Sequence, residues 1–174
     1  MSEYNPPVST HRGDDGTTTL LGSGRMSKSD ARIVLIGDID ESSSFLGLAR
    51  AQSEGDINEL LLALQRLLYR IMGDVAMPKE ANQVGAEDVE SLDASLEGWR
   101  RRTKLPKEFV VPGESQLGAL LDVARSAVRR AERTAVAAGF AEDHPQALRA
   151  VNRLSDLLFI MARNADGKNP LSKG

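Results

Sequence analysis

The chain of 174 residues has no cysteine and only two histidines. That removes disulfides, Cys-ligated zinc, Fe–S clusters and thiol nucleophiles, and it leaves little material for a His-rich metal site. The same absence fits a reducing compartment. Aromatic residues make up 4% of the sequence, too few for a row of base-stacking platforms. The formal charge of −3, from 22 Lys and Arg against 25 Asp and Glu, lacks the basic excess of a nucleic-acid binder. No apolar run approaches the roughly 20 residues that span a bilayer, and MSEYNPPVSTHRGDD lacks the basic start and hydrophobic middle of a secretory signal. The expectation is a cytoplasmic protein with no membrane or nucleic-acid partner, built as one domain of ordinary size.

What is present is helical periodicity between prolines. Asp30 can cap a first helix running to Gln52, with Leu35, Ile39, Leu46 and Ala49 near one face. From Ile57 to about Val75, Leu60, Leu61, Leu64, Leu68 and Ile71 recur at three- and four-residue spacing, the clearest amphipathic stripe in the chain. Gly85 to Arg102 is more polar, an outer helix whose basic C-terminal end suits the helix dipole. Pro106 and Pro112 bracket the extended KEFVVPG, and Ser115 to about Phe140 carries Leu117, Leu121, Ala124, Val128 and Ala131 before Gly139 stops it. Pro145 opens a last helix lined by Leu148, Val151, Leu154, Leu158 and Ala162. Five helices without a convincing alternating strand predict an all-α bundle over residues 10–165, with loosely held tails at 1–9 and 166–174.

Three groups of residues stand out for chemistry. Thr10 to Lys28 places glycines 13, 16, 22 and 24 among hydroxyls and charges, so backbone N–H groups can turn toward an anion while Lys28 supplies a point charge. It has no Walker A pattern, and a plain flexible arm is the alternative. On the fourth helix Arg125, Arg129 and Glu132 share a face beside Arg130 and Arg133, an arrangement that suits a polyphosphate clamp or a solvated, salt-bridged surface. Asn152 and Asp156 interrupt the apolar stripe of the last helix, on a face expected to be partly buried. Asp40 lies in a packing segment and wants an Arg, in a structural ion pair or a functional one. His11 and His144 have no nucleophile motif near them. Phe109, between two prolines, reads by itself as a loop anchor in the core.

Four segments in order, GDDGTTTLLGSGRMSK, GDIDESSSFLGLAR, FVVPGESQL leading into ARSAVRRAER, and NRLSDLLFIMAR, resemble the PduO-type ATP:corrinoid adenosyltransferases from about Thr10 to Arg163. The resemblance implies a five-helix bundle assembled as a homotrimer with active sites at subunit interfaces. It implies transfer of the 5′-deoxyadenosyl group of ATP to Co(I) of a reduced corrinoid such as cobalamin, with release of triphosphate and use of Mg²⁺. Carried over by motif, Thr10, Arg12, Gly13, Thr18, Thr19 and Lys28 belong to the nucleotide loop. Arg129, Glu132, Arg133 and Asn152 complete the ATP site, with Mg²⁺ held mainly through phosphates and Glu132 as its candidate protein ligand. Asp40 and Arg125 match an interface salt bridge important for activity, and Phe109 matches the aromatic residue that helps exclude the lower axial ligand of the corrinoid. Arg12 stands where the family usually has Thr, Glu114 replaces a common Gly, and Ala150 replaces an aromatic residue. A chain without cysteine also implies an external reductase for the cobalt, and an adenosylcobalamin-dependent enzyme is an expected recipient. The competing reading is a non-catalytic carrier of ATP or corrinoid that delivers cofactor to a partner enzyme.

Overall fold

The computed structural model describes residues 9–21, 24–77 and 83–173. An N-terminal arm carries β1 (Thr17–Thr19) and β2 (Arg25–Ser27), paired antiparallel with Thr18 opposite Met26. Then follow α1 (Ala31–Ala51), α2 (Gly55–Ala76), α3 (Ala86–Arg102), α4 (Gln116–Ala137), the single turn α5 (Phe140–Asp143) and α6 (Pro145–Asp166). In the bundle α4 packs on α1 and α6, α2 packs on α1, and α3 packs on α6. The apolar stripes meet in one core, in which Leu35, Leu46, Leu61, Leu68, Leu121, Val128, Leu154 and Leu158 are all essentially inaccessible.

The helix starts follow their capping chemistry. Asp30 accepts from the Arg32 amide at 3.0 Å, and Ser115 accepts from the Gly118 amide at 2.9 Å. Asp88 accepts from the Gly85 amide at 3.0 Å and takes the Arg70 guanidinium, so the start of α3 is tied to α2. Burial by itself would raise the Asp88 carboxyl; bonding to Arg70 and Gly85 outweighs it and holds the group below the ordinary carboxylate range. Ser42 sits fully buried inside α1 because its hydroxyl donates back to the Asp38 carbonyl at 2.7 Å.

The structure corrects three expectations. The arm contains a short hairpin, because a run of β-branched Thr residues favours extended backbone over a length too short to show alternation. The fourth helix stops at Ala137: Gly139, at φ 70°, takes the left-handed conformation and a separate turn, α5, begins at Phe140. The C-terminal segment after residue 165 is anchored: the Val111 amide donates to Pro170 at 2.9 Å and the Ser172 amide to the Phe109 carbonyl at 2.8 Å. Val110 and Leu171 thereby form an antiparallel bridge that ties the proline-bracketed loop to the end of the chain.

Candidate functional site

The arm folds on itself around Asp15 and Lys28. Asp15 accepts from the hydroxyl of Thr17 at 2.7 Å and from its amide at 3.0 Å, and Arg25 donates to the same carboxylate at 2.9 Å. These contacts, Thr17 foremost, hold the Asp15 carboxyl below the ordinary carboxylate range. Arg25 also donates to the Arg12 carbonyl at 2.5 Å, and Lys28 Nζ donates to the Gly13 carbonyl at 2.7 Å. Among the described residues Lys28 makes no other side-chain bond, which leaves two of its three ammonium donors available for an anion. Thr10, Arg12, Thr19 and Lys28 are exposed, and Gly13 and Thr18 are half-buried. Asp15 and Arg25, which shape this loop, carry no motif of their own in the sequence. Their signal was weak, because an acid and a base ten positions apart look like ordinary loop charges until the hairpin brings them together.

On α4, Arg129 and Arg133 are exposed, and Arg133 Nη1 donates to the Arg129 carbonyl at 3.0 Å. Glu132 accepts from Asn152 Nδ2 at 2.9 Å, Asn152 Oδ1 accepts from Arg153 at 3.0 Å, and Arg153 Nε donates to Asp93 at 2.8 Å. A polar line thus crosses from α4 through α6 to α3 and fixes the amide orientation of Asn152. Asp156, expected on a partly buried face, is exposed.

Phe109 also departs from its isolated reading. It is 86% exposed, the most exposed of the large apolar side chains among the described residues, and so it does not anchor the loop in the core. It borders a cavity of about 640 Å³ together with Pro106, Asp122, Arg125, Phe159 and Arg163. A second cavity of about 500 Å³ lies between α1 and α4 and is lined by Glu41, Phe45, Arg130 and Arg133, again with Asp122 and Arg125. Arg125 Nε donates to Asp122 at 3.0 Å, within its own helix.

Asp40 is exposed, and no side-chain partner meets it among the described residues. The acids of α1 that bond α4 are instead Asp38, which accepts from Arg130 Nε at 3.1 Å and from the Thr134 hydroxyl at 2.5 Å, and Glu41, which pairs with the same Arg130 guanidinium. Asp38 faces α4 because it stands three residues after the buried Leu35 and four before the buried Ser42, whereas Asp40 has no buried residue of α1 one turn away on either side. Within one chain, among the described residues, no hydrogen bond or ion pair joins the arm to α4 or α6. The arm and the α4/α6 cluster are therefore two separate polar groups within the chain. Nor do three or more His, Asp or Glu side chains converge on a metal position among the described residues. Among them, no helix is long and apolar enough to cross a membrane.

The family model for cobalamin adenosyltransferase matches residues 8–165. A corrinoid adenosyltransferase of Mycobacterium tuberculosis is 41% identical over 182 residues, covering 96% of this chain and 93% of the relative. One from Bacillus subtilis is 37% identical, covering 92% and 86%. Among solved structures, a variant PduO-type ATP:corrinoid adenosyltransferase from Lactobacillus reuteri, complexed with cobalamin and ATP, superposes with a TM-score of 0.87 at 26% identity. It covers 97% of this chain and 100% of that one. With the match running from the N-terminal arm through α6, the chain belongs to the cobalamin adenosyltransferase family.

Proposed function

We infer that the protein is an ATP:corrinoid adenosyltransferase, which forms adenosylcobalamin from ATP and a Co(I) corrinoid. The observation that carries the reading is the cavity that sets the exposed Phe109 beside Arg125. It lies on the helix that also presents Arg129 and Arg133. A carrier has no use for a polyphosphate clamp; a transferase does. In the reaction the cobalt electron pair forms the bond to C5′ as the C5′–O bond breaks, and triphosphate leaves with the bond electrons. Co(I) is already a strong nucleophile, so the protein needs no general base; its work is to align C5′ and to stabilise charge on the leaving group.

Lys28, Arg129 and Arg133 are the cations that take the phosphates, with Thr10, Arg12, Gly13, Thr18 and Thr19 forming the loop around them. Asn152 holds Glu132 in place. The donor set suits Mg²⁺ bound chiefly by substrate oxygens, with Glu132 contributing one carboxylate, since Mg²⁺ keeps waters and phosphates as ligands. Phe109 offers an apolar face that displaces the lower ligand of the corrinoid. Among the described residues, the separation of the arm from α4, the lack of a side-chain partner for Asp40 and the exposed Val34, Leu48, Val123 and Val136 on α1 and α4 support assembly of the site between copies of the chain. In that homotrimer Asp40 of one subunit meets Arg125 of the next. A separate reductase supplies Co(I), because the chain has no thiol, and an adenosylcobalamin-dependent enzyme receives the product. The cytoplasm is the proposed compartment. Mixing the protein with ATP, Mg²⁺ and chemically reduced cobalamin under anaerobic conditions tests the reading. Decay of the cob(I)alamin spectrum into that of adenosylcobalamin is expected, and ATP binding without conversion would leave only the carrier.

A further inference from the structure

Resting on the adenosyltransferase reading, we propose that Asp122 is a positioning residue which, backed by Arg163 and Asp166, fixes the guanidinium of Arg125 on the wall shared by the two cavities. Asp122 and Arg125 stand three residues apart on α4, and Arg163 and Asp166 stand three apart on the antiparallel α6. Asp122 Oδ1 accepts from Arg125 Nε at 3.0 Å and Oδ2 accepts from Arg163. Arg163 lies 3.1 Å from Asp166 Oδ2, and Asp166 Oδ1 accepts from the amide and hydroxyl of Ser115 at 3.0 and 2.9 Å. Two cations and two anions balance in a line that runs from the N-cap of α4 to the cavity wall.

Burial along that line is graded. The side chains of Asp166, Arg163 and Asp122 are 0%, 1% and 7% exposed, against 27% for Arg125. The first three are set in the interior, and only the last reaches out. A buried ionic quartet is a poor way to gain stability, since well-packed apolar residues in its place are often as good or better. What it does accomplish is orientation. Arg125 is held through Nε alone, so both of its Nη groups are without a partner among the described residues. They remain available to an acceptor across the cavity, the position the functional reading gives to Asp40 of a second copy. Because both Asp122 and Arg125 border both cavities, a shift of this pair moves the boundary between them.

The test compares Asp122→Asn, Arg125→Ala and the double variant with the parent protein, by cob(I)alamin turnover at saturating ATP and by thermal melting. Asp122→Asn is expected to lower kcat on the order of ten- to a hundredfold, as misplacement of an aligning group does, with KM for ATP unchanged. Combined with Arg125→Ala it is expected to cost no further kcat, because both changes remove one device. Effects on kcat that multiply would overturn the proposal, as would a lowered melting temperature with kcat intact. Where Asp122→Asn fails to fold, Asp122→Leu combined with Arg163→Met and Asp166→Asn replaces all three buried charges without orphaning one, the Asn keeping an acceptor for Ser115. It is expected to fold and still lose kcat; parental kcat, or failure of this triple variant to fold as well, would assign the quartet to stability alone. A parent protein that does not convert cob(I)alamin would overturn the adenosyltransferase reading and the positioning role with it, whereas parental turnover with independent effects overturns the positioning role alone.

Discussion

Gly118→Ala sets two physical effects against each other within one turn of α4. In a helix, replacing Gly by Ala normally gains about 1 kcal/mol. Here, however, an added Cβ would lie 1.9 Å from Asp166 Oδ1 and 2.8 Å from the Ser115 hydroxyl. Either the two helices separate or the Asp166 carboxylate leaves its place, giving up the bonds from Ser115 and its approach to Arg163. Uncoupling a buried ion pair costs about 3–5 kcal/mol. Subtracting the propensity gain leaves a net loss of about 2–4 kcal/mol, which in a domain of this size lowers the melting temperature by roughly 5–15 °C. Thermal and urea melts at fixed protein concentration measure it, the concentration being held because assembly shifts the midpoint. A melting temperature equal to or above that of the parent would refute the reasoning, since helix propensity would then have outweighed the contact.

Arg129→Ala and Phe109→Ala should separate the two halves of the site. The first is expected to raise KM for ATP. The second, at a side chain 86% exposed, is expected to change stability by less than about 0.5 kcal/mol and to spare ATP binding while impairing turnover that starts from Co(II). Isothermal titration with ATP and parallel turnover assays distinguish them, and equal loss of ATP affinity in both would contradict the assignment. Acid titration addresses α3. Glu97 accepts from Arg100 at 2.8 Å and from Arg101 at 2.9 Å, which holds its carboxyl at about 2 instead of the ordinary 4.5. Because the folded value is the lower one, the stabilisation is complete above about pH 4.5 and is lost as pH falls toward 2. A carboxyl resonance of Glu97 with its midpoint near 4.5 would contradict this.

Helix positions were legible because their signals are local. The Asp30 and Ser115 caps, the leucine stripe of α2 and Pro145 at the start of α6 act within a few residues of where they stand. The candidate site is legible only as residue types in sequence order, with the cations of α4, Asn152 and the glycine-bearing arm all appearing as motifs. Sequence could not show which acids on α1 face α4, because Asp38 and Asp40 differ by about 200° around the helix and the stripe there is weak, and the structure pairs Asp38 and Glu41 with Arg130. Asp122, Arg163 and Asp166 passed unnoticed for a related reason. Each reads as a surface charge until α4 and α6 lie antiparallel and bury them together. The bridge between Val110 and Leu171 joins positions about sixty residues apart, beyond any periodicity argument.

The most direct measurement is the stoichiometry of a single anaerobic reaction containing the protein, ATP, Mg²⁺ and cob(I)alamin. Inorganic triphosphate and adenosylcobalamin are quantified together. Transfer at C5′ predicts one triphosphate for each cobalt–carbon bond formed, with no ADP or diphosphate. Bound ATP that persists unchanged beside unreacted cob(I)alamin, or cleavage between phosphates, would contradict it.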